Sequence, residues 1–314
     1  VNFVKNAPPT LLLVLCAVFW SLGGLFIKQV NLHPLTVAGF RSFFALFILY
    51  FLSKPQKPKW GDFNFLTAVT AYAGTVICFS IATKWTTAAN AILLQSTAPL
   101  FVAPLSFFYL KEKIEKIDFL CAAGILAGLF FFFKGSLNSE LNQGDVFGVI
   151  AGVFFALFIV SSRKAGSMGS LNAVFWGNVL AATMAIPTLF PKQYSDSIWN
   201  LFATQGTSVS NGLLLDNSIF SHLPTQQEWI YLAILGIVQL GLPYFLYSNA
   251  ISKVTALKAN LILLIEPVLN PIWVFIFLSE KPTQDALIGG VFVIASVALR
   301  IGLSAKSQPE PQFQ

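Results

Sequence analysis

The chain has 314 residues, of which 56% are hydrophobic and only 10% charged. A soluble domain carries about 25% charged residues, so a water-soluble globule is excluded. The net charge of +6 is scattered between apolar runs, which argues against a nucleic-acid surface and leaves an all-α polytopic membrane protein.

In chain order, ten apolar runs are long enough to cross a bilayer as helices: 10–29, 35–53, 65–83, 88–110, 117–134, 145–162, 171–190, 229–250, 256–278 and 285–303. The first is read as a span and not as a signal peptide, because no small-residue cleavage site precedes the second. Charges, Gly, Pro and Asn separate the runs, as surface loops require. Residues 191–228 form an expected long outer loop rich in Ser, Asn, Thr and Gln, and 307–314 an expected disordered tail. Cys16, Cys78 and Cys121 all fall in apolar runs and read as packing thiols. His33 and His222 have no metal-ligand neighbour at a recognised spacing, so neither a metal nor a cofactor is expected.

The segment Ala82–Lys113 aligns without gaps to Ala250–Lys281, with ten identities in 32 positions, among them Thr87/Thr255, Pro99/Pro267, Glu112/Glu280 and Lys113/Lys281. Biased composition alone would give roughly two or three. Nearer the start of each half, Val18, Phe19, Leu22 and Lys28 align with Val153, Phe154, Leu157 and Arg163. The chain reads as a duplication, with repeats at 1–140 and 141–306. Five spans per repeat is an odd number, so the second repeat enters the membrane from the opposite side. The expected fold is therefore ten transmembrane helices in two inverted five-helix repeats.

Basic residues set the orientation. With the N-terminus inside, 13 Lys and Arg fall on the cytoplasmic side, five on the outer side, and Arg41 lies within a span. Both termini are expected in the cytoplasm and the protein in the cell (inner) membrane.

Of 13 acidic residues only Glu266 lies deep inside a span. A charge at a helix centre costs about 2.5–3.5 kcal/mol on insertion scales, so this acid must face protein or water. Loss of hydration favours its neutral form, which makes it a candidate proton-coupling site; a kinked packing helix with a buried, protonated acid is the alternative. Pro267 and Pro271 loosen the helix around it, and the freed carbonyls need partners or a wet cavity. Arg41 and Lys258 are its candidate charge partners. Trp20, Tyr72, Asn90, Gln95, Gln239, Tyr244, Tyr247 and Asn270 are polar or aromatic residues within spans that could line one solute site. Each by itself reads first as an interhelical hydrogen bond or packing ring, ahead of a ligand contact. Gly124–Gly128 and Gly148–Gly152 permit close helix approach, within the bundle or at a homodimer face. No nucleotide-binding, zinc-protease or serine-hydrolase motif occurs, and a lone deep acid does not suggest an enzyme.

Ten spans in two inverted halves, a proline-centred helix ending in Glu-Lys at Glu112-Lys113 and Glu280-Lys281, and the segments Ala17–Lys28 (AVFWSLGGLFIK) and Ala38–Leu49 (AGFRSFFALFIL) together resemble the EamA family of the drug/metabolite transporter superfamily. The resemblance covers nearly the whole chain. It implies a secondary transporter of small organic solutes such as amino acids or other metabolites. It also implies that helices 1, 3, 4, 6, 8 and 9 surround a central cavity, with 5 and 10 peripheral. The Glu266-Pro267 pair is common at this place in the family, which weakens any role of Glu266 in substrate choice. The 191–228 loop departs from the family's short connection. Uncoupled exchange, a channel and a membrane-embedded enzyme are the rival readings.

Overall fold

The computed structural model describes residues 4, 6–133, 143–184, 186, 224–269, 272–273 and 284–304. Among these residues the regular structure is entirely helical. The helices are α1 (Pro9–Trp20), α2 (Gly23–Gln29), α3 (Pro34–Ser53), α4 (Phe63–Trp85), α5 (Ala88–Gln95), α6 (Pro99–Leu105), α7 (Lys116–Phe133), α8 (Gln143–Met184), α9 (Gln226–Ile234), α10 (Leu242–Ile251), α11 (Ala256–Leu263) and α12 (Gln284–Ser304). Taken across their short breaks, six stretches are long and apolar enough to cross a membrane: Pro9–Gln29, Pro34–Ser53, Phe63–Trp85, Asn90–Leu110, Gln143–Met184 and Gln226–Ile251.

Capping residues set the helix starts. Pro9 and Pro34 occupy first-turn positions, where the missing N–H costs nothing. Asp62, Thr87 and Thr255 accept backbone N–H groups at the starts of α4, α5 and α11. Thr225 and Glu228 form a capping box at α9. That box moves the end of the expected 191–228 loop: α9 begins at Gln226, while residues 187–223 of the loop region lie outside the described residues. The expected tail at 307–314 also lies outside them.

Several expected spans are interrupted. The 145–162 and 171–190 runs join in α8, whose 42 residues turn at Gly166 with φ 71° and ψ −177°. At about 1.5 Å per residue α8 is twice the length that one crossing needs, so the turn divides it into two. The 88–110 run breaks between α5 and α6, just before Pro99. The 256–278 run breaks after Leu263, and residues 266–269 resume the helix around Pro267. These two breaks fall at corresponding places in the aligned segments. A π-helical turn at Leu235–Gly241 joins α9 to α10. Pro243 has no N–H to donate to the carbonyl of Gln239, which relaxes the helix there.

Helix α4 packs most extensively on α8, and α7 packs along α12. Both glycine faces are used inside the bundle. A Cβ on Gly124 would stand 2.4 Å from Ser296 Oγ, and one on Gly128 2.7 Å from the Gly289 carbonyl of α12. On α8, a Cβ on Gly152 would meet the Gln95 carbonyl at 3.1 Å. The bare backbone of Gly152 thus lets the end of α5 settle against α8, and that contact positions Gln95. The three cysteines are buried thiols.

Candidate functional site

Two small cavities adjoin at the break between α11 and residues 266–269. The first, of about 10 Å³, is lined by Gln95, Ser96, Phe155, Asn260, Glu266 and Pro267 with neighbouring aliphatics. The second, of about 20 Å³, is lined among others by Trp20, Arg41, Thr75, Gln239, Tyr244 and Glu266. Gln95, Phe155 and Glu266 belong to both. A water molecule needs roughly 10–15 Å³ of such space, so the cavities have room for water and not for a metabolite.

Arg41 supplies the positive charge. It sits within α3 at 1% exposure. One terminal nitrogen, Nη2, donates to the Val76 carbonyl of α4 at 2.8 Å, and Nη1 points to Gln239 Oε1 at 3.5 Å. Gln239 reaches it from the π-helical turn. A Cβ on Gly23 would stand 2.7 Å from Gln239 Nε2, so α2 confines the amide. The guanidinium is therefore held on one edge while its Nε finds no hydrogen-bond partner among the described residues. The same holds for Trp20 Nε1, Gln95 Oε1 and Asn260 Nδ2. Buried polar groups left unpaired cost about 1–3 kcal/mol each, so several around one void mark a place built for exchangeable partners. Glu266 lines both cavities and makes no ion pair with Arg41 among the described residues.

An aromatic cluster forms the other wall. The Tyr244 ring lies 4.7 Å from Trp20 and 4.7 Å from Tyr72, centroid to centroid. Phe155 meets Trp20 edge-on at 5.5 Å, and Phe158 stacks on Tyr247 at 5.5 Å. The Tyr72 hydroxyl accepts a 2.8 Å hydrogen bond from Asn178 Nδ2. Such mutual ring contacts fix rotamers, so Trp20 and Tyr244 reach the cavity as rigid faces.

The structure thus gathers Trp20, Arg41, Gln95, Gln239, Tyr244 and Glu266 around one space. Tyr72 and Tyr247 stand behind them, against the rings. Asn90 is elsewhere: it sits in the first turn of α5, where its Nδ2 donates to Thr86 Oγ1 at 3.3 Å. Lys258 is also at a helix start, its backbone N–H donating to Thr255 Oγ1 at 3.4 Å. Asn270 lies outside the described residues. Sequence reasoning did not assign Phe155, Ser96 or Thr75 to the site. Phe occurs 32 times, so no signal separates a lining ring from a packing one.

The sequence profile of the EamA-like transporter family matches residues 8–134 and again 142–301. The chain belongs to the EamA-like transporter family. An uncharacterized transporter of Archaeoglobus fulgidus is 26% identical over 294 residues, covering 91% of this chain and 94% of its own length. The pseudopaline exporter CntI of Pseudomonas aeruginosa is 25% identical, covering 92% of this chain and 94% of its own. The threonine/homoserine exporter RhtA of Salmonella typhimurium is 24% identical, covering 71% of this chain and 65% of its own. A crystal structure with 16% sequence identity superposes with a TM-score of 0.72 over 94% of this chain and 98% of that one, a likeness of fold. The chain is a multi-pass membrane protein of a transporter family.

Proposed function

We propose that this EamA-family protein is a secondary transporter that moves a small organic solute, an amino acid or related metabolite, across the cytoplasmic membrane by alternating access. The two halves, 1–140 and 141–306, would be inverted five-helix repeats that rock around the central cavity. The two separate matches to the family profile support this division. So do the corresponding helix breaks before Pro99 and Pro267 and the corresponding Thr87 and Thr255 caps. The names of the relatives support transport over catalysis.

The observation that carries the proposal is a small buried cavity at a helix break, lined by both donors and acceptors that lack protein partners among the described residues. Arg41 and Trp20 offer N–H groups; Gln95 Oε1 and the Glu266 carboxyl offer acceptors. A small solute with an anionic end and an ammonium or hydroxyl end suits this pairing. Glu266 would also exchange a proton with water in one access state, so that a proton gradient biases the cycle.

Purified protein in liposomes, offered a panel of labelled amino acids that includes threonine and homoserine, tests the reading. Saturable, competable uptake is expected, with accumulation under a pH gradient. Glu266→Gln should keep exchange and lose the gradient-driven accumulation. Accumulation equal to the parent's would remove Glu266 from coupling and favour an uncoupled exchanger. Flux that neither saturates nor shows competition would overturn the transporter reading in favour of a channel.

A further inference from the structure

Away from the cavity, one buried ion pair ties the two halves together. Arg163 Nε donates to Glu112 Oε1 at 2.8 Å, and the two side chains are only 5% and 6% exposed. The other carboxylate oxygen, Glu112 Oε2, accepts the Ala256 N–H at 2.9 Å, at the first residue of α11. Arg163 Nη1 donates to the Ser252 carbonyl just past the end of α10. Four helix ends therefore converge on one carboxylate and one guanidinium: the end of the α6 segment, the first part of α8, the end of α10 and the start of α11. Glu112 comes from the first half of the chain; the other three residues come from the second.

The connection to the cavity is short. From Ala256, α11 runs to the break beside Glu266; from Gln95, the α5–α6 segment runs to Glu112. Among the elements that wall the cavity, the α5–α6 segment, α8, α10 and α11 are the ones this pair joins. Both flanking turns also have left-handed or related backbone, at Lys111 (φ 55°) and Gly166 (φ 71°), so each helix ends abruptly beside the pair. The position aligned with Arg163 in the first half, Lys28, donates instead to a carbonyl, Thr86 O, at 2.8 Å.

We infer that Glu112 and Arg163 form a latch that closes the cavity at the end of the bundle assigned to the cytoplasm, and that it must part for solute to pass on that side. The inference rests on the two-half transport reading above. A buried pair keeps its strength only while both partners stay together and desolvated. Such an interaction, present in one access state and absent in the other, shifts their populations.

The test uses the full chain with Cys16, Cys78 and Cys121 replaced by alanine and Gln95→Cys as a reporter in the cavity. A membrane-impermeant maleimide is applied to right-side-out and inside-out vesicles, and each variant is screened for monodisperse elution in detergent. Glu112→Gln is expected to raise cytoplasmic-side labelling of the reporter about tenfold, as the loss of a state-specific buried partner should. Arg163→Gln should do the same; it leaves a carboxylate facing Ala256, so it carries the test if Glu112→Gln does not fold. Asp118→Asn removes a different buried pair, with Arg300 at 2.6 Å between α7 and α12, and should leave labelling at the parent rate. If cytoplasmic labelling stays at the parent rate in both latch variants while the reporter labels from outside, the latch is wrong and the cavity reading stands. A rise with Asp118→Asn as large as with the latch variants also overturns the latch, since it would report general loosening. A reporter that labels from neither side in any variant overturns both.

Discussion

His33 combines a local structural role with an ionisable side chain at the edge of the bundle. It precedes Pro34 as the N-cap of α3, and its Nδ1 accepts the Leu35 N–H at 3.3 Å. Burial pushes its pKa from 6.5 down to about 4, so the folded chain holds it neutral. The unfolded chain takes up the proton near pH 6.5, the folded chain only near pH 4. Stability is therefore complete above about pH 6.5 and falls as pH drops toward 4. Melting in detergent at pH 7 and pH 4.5 should show this loss, and His33→Asn, which keeps a capping oxygen, should flatten it. A variant with the parent's pH slope would assign the loss to other groups. Arg41 has a comparable dependence on context: the sequence shows only that it lies within a span, and the fold buries it against the Val76 carbonyl.

At the scale of elements, the informative features are the interruptions. Pro267 signalled one of them in the sequence as a loosened helix, because it lacks a donor; Pro99, its aligned counterpart, likewise follows a break that the continuous 88–110 run did not reveal. The Thr225–Glu228 box also stood in the sequence as a T-x-x-E pattern and fixes the start of α9. Gly166 gave no comparable signal, since Gly169 lies three residues on and either could have made the turn. Only the backbone distinguishes them: Gly166 alone among the described glycines has a positive φ. A Cβ at Gly166 meets nothing within 4 Å, and the same is true of Gly302 inside α12. Gly166→Ala should nonetheless cost about 1–3 kcal/mol through backbone strain. Gly302→Ala should be neutral or gain up to about 1 kcal/mol of helix propensity. Thermal melting of the two variants side by side checks this; equal effects would mean that α8 straightens without penalty.

For the whole molecule, orientation decides which end each contact serves. The bias of 13 basic residues against five is the reason to expect both termini on the cytoplasmic side. Single tags at Lys57, Lys113 and Lys306 should be reached only from the cytoplasmic side, and one at Thr207 only from outside, in intact cells against permeabilised ones. Thr207 on the same side as Lys57 would overturn both the orientation and the inverted arrangement of halves. The same assignment gives the Glu112–Arg163 pair its side.

The sequence by itself determined the solvent, the helical class and the family. Hydrophobic content, run length and repeated motifs are additive along the chain and need no partner to be read. It also singled out Glu266, because a lone acid in a long apolar run is costly wherever the helix packs. Only the tertiary structure decided which polar residues meet. Arg41 and Gln239 lie 198 positions apart, and Glu112 and Ala256 lie 144 apart, so no spacing in the chain brings them together. Asn90 and Gln95 are alike in sequence, being amides on one short helix. The fold turns one toward Thr86, just before the helix cap, and the other toward the cavity, because Gly152 lets α8 approach the end of α5. A side chain's role here follows from its packing partners, which burial and shape select and local pattern does not encode.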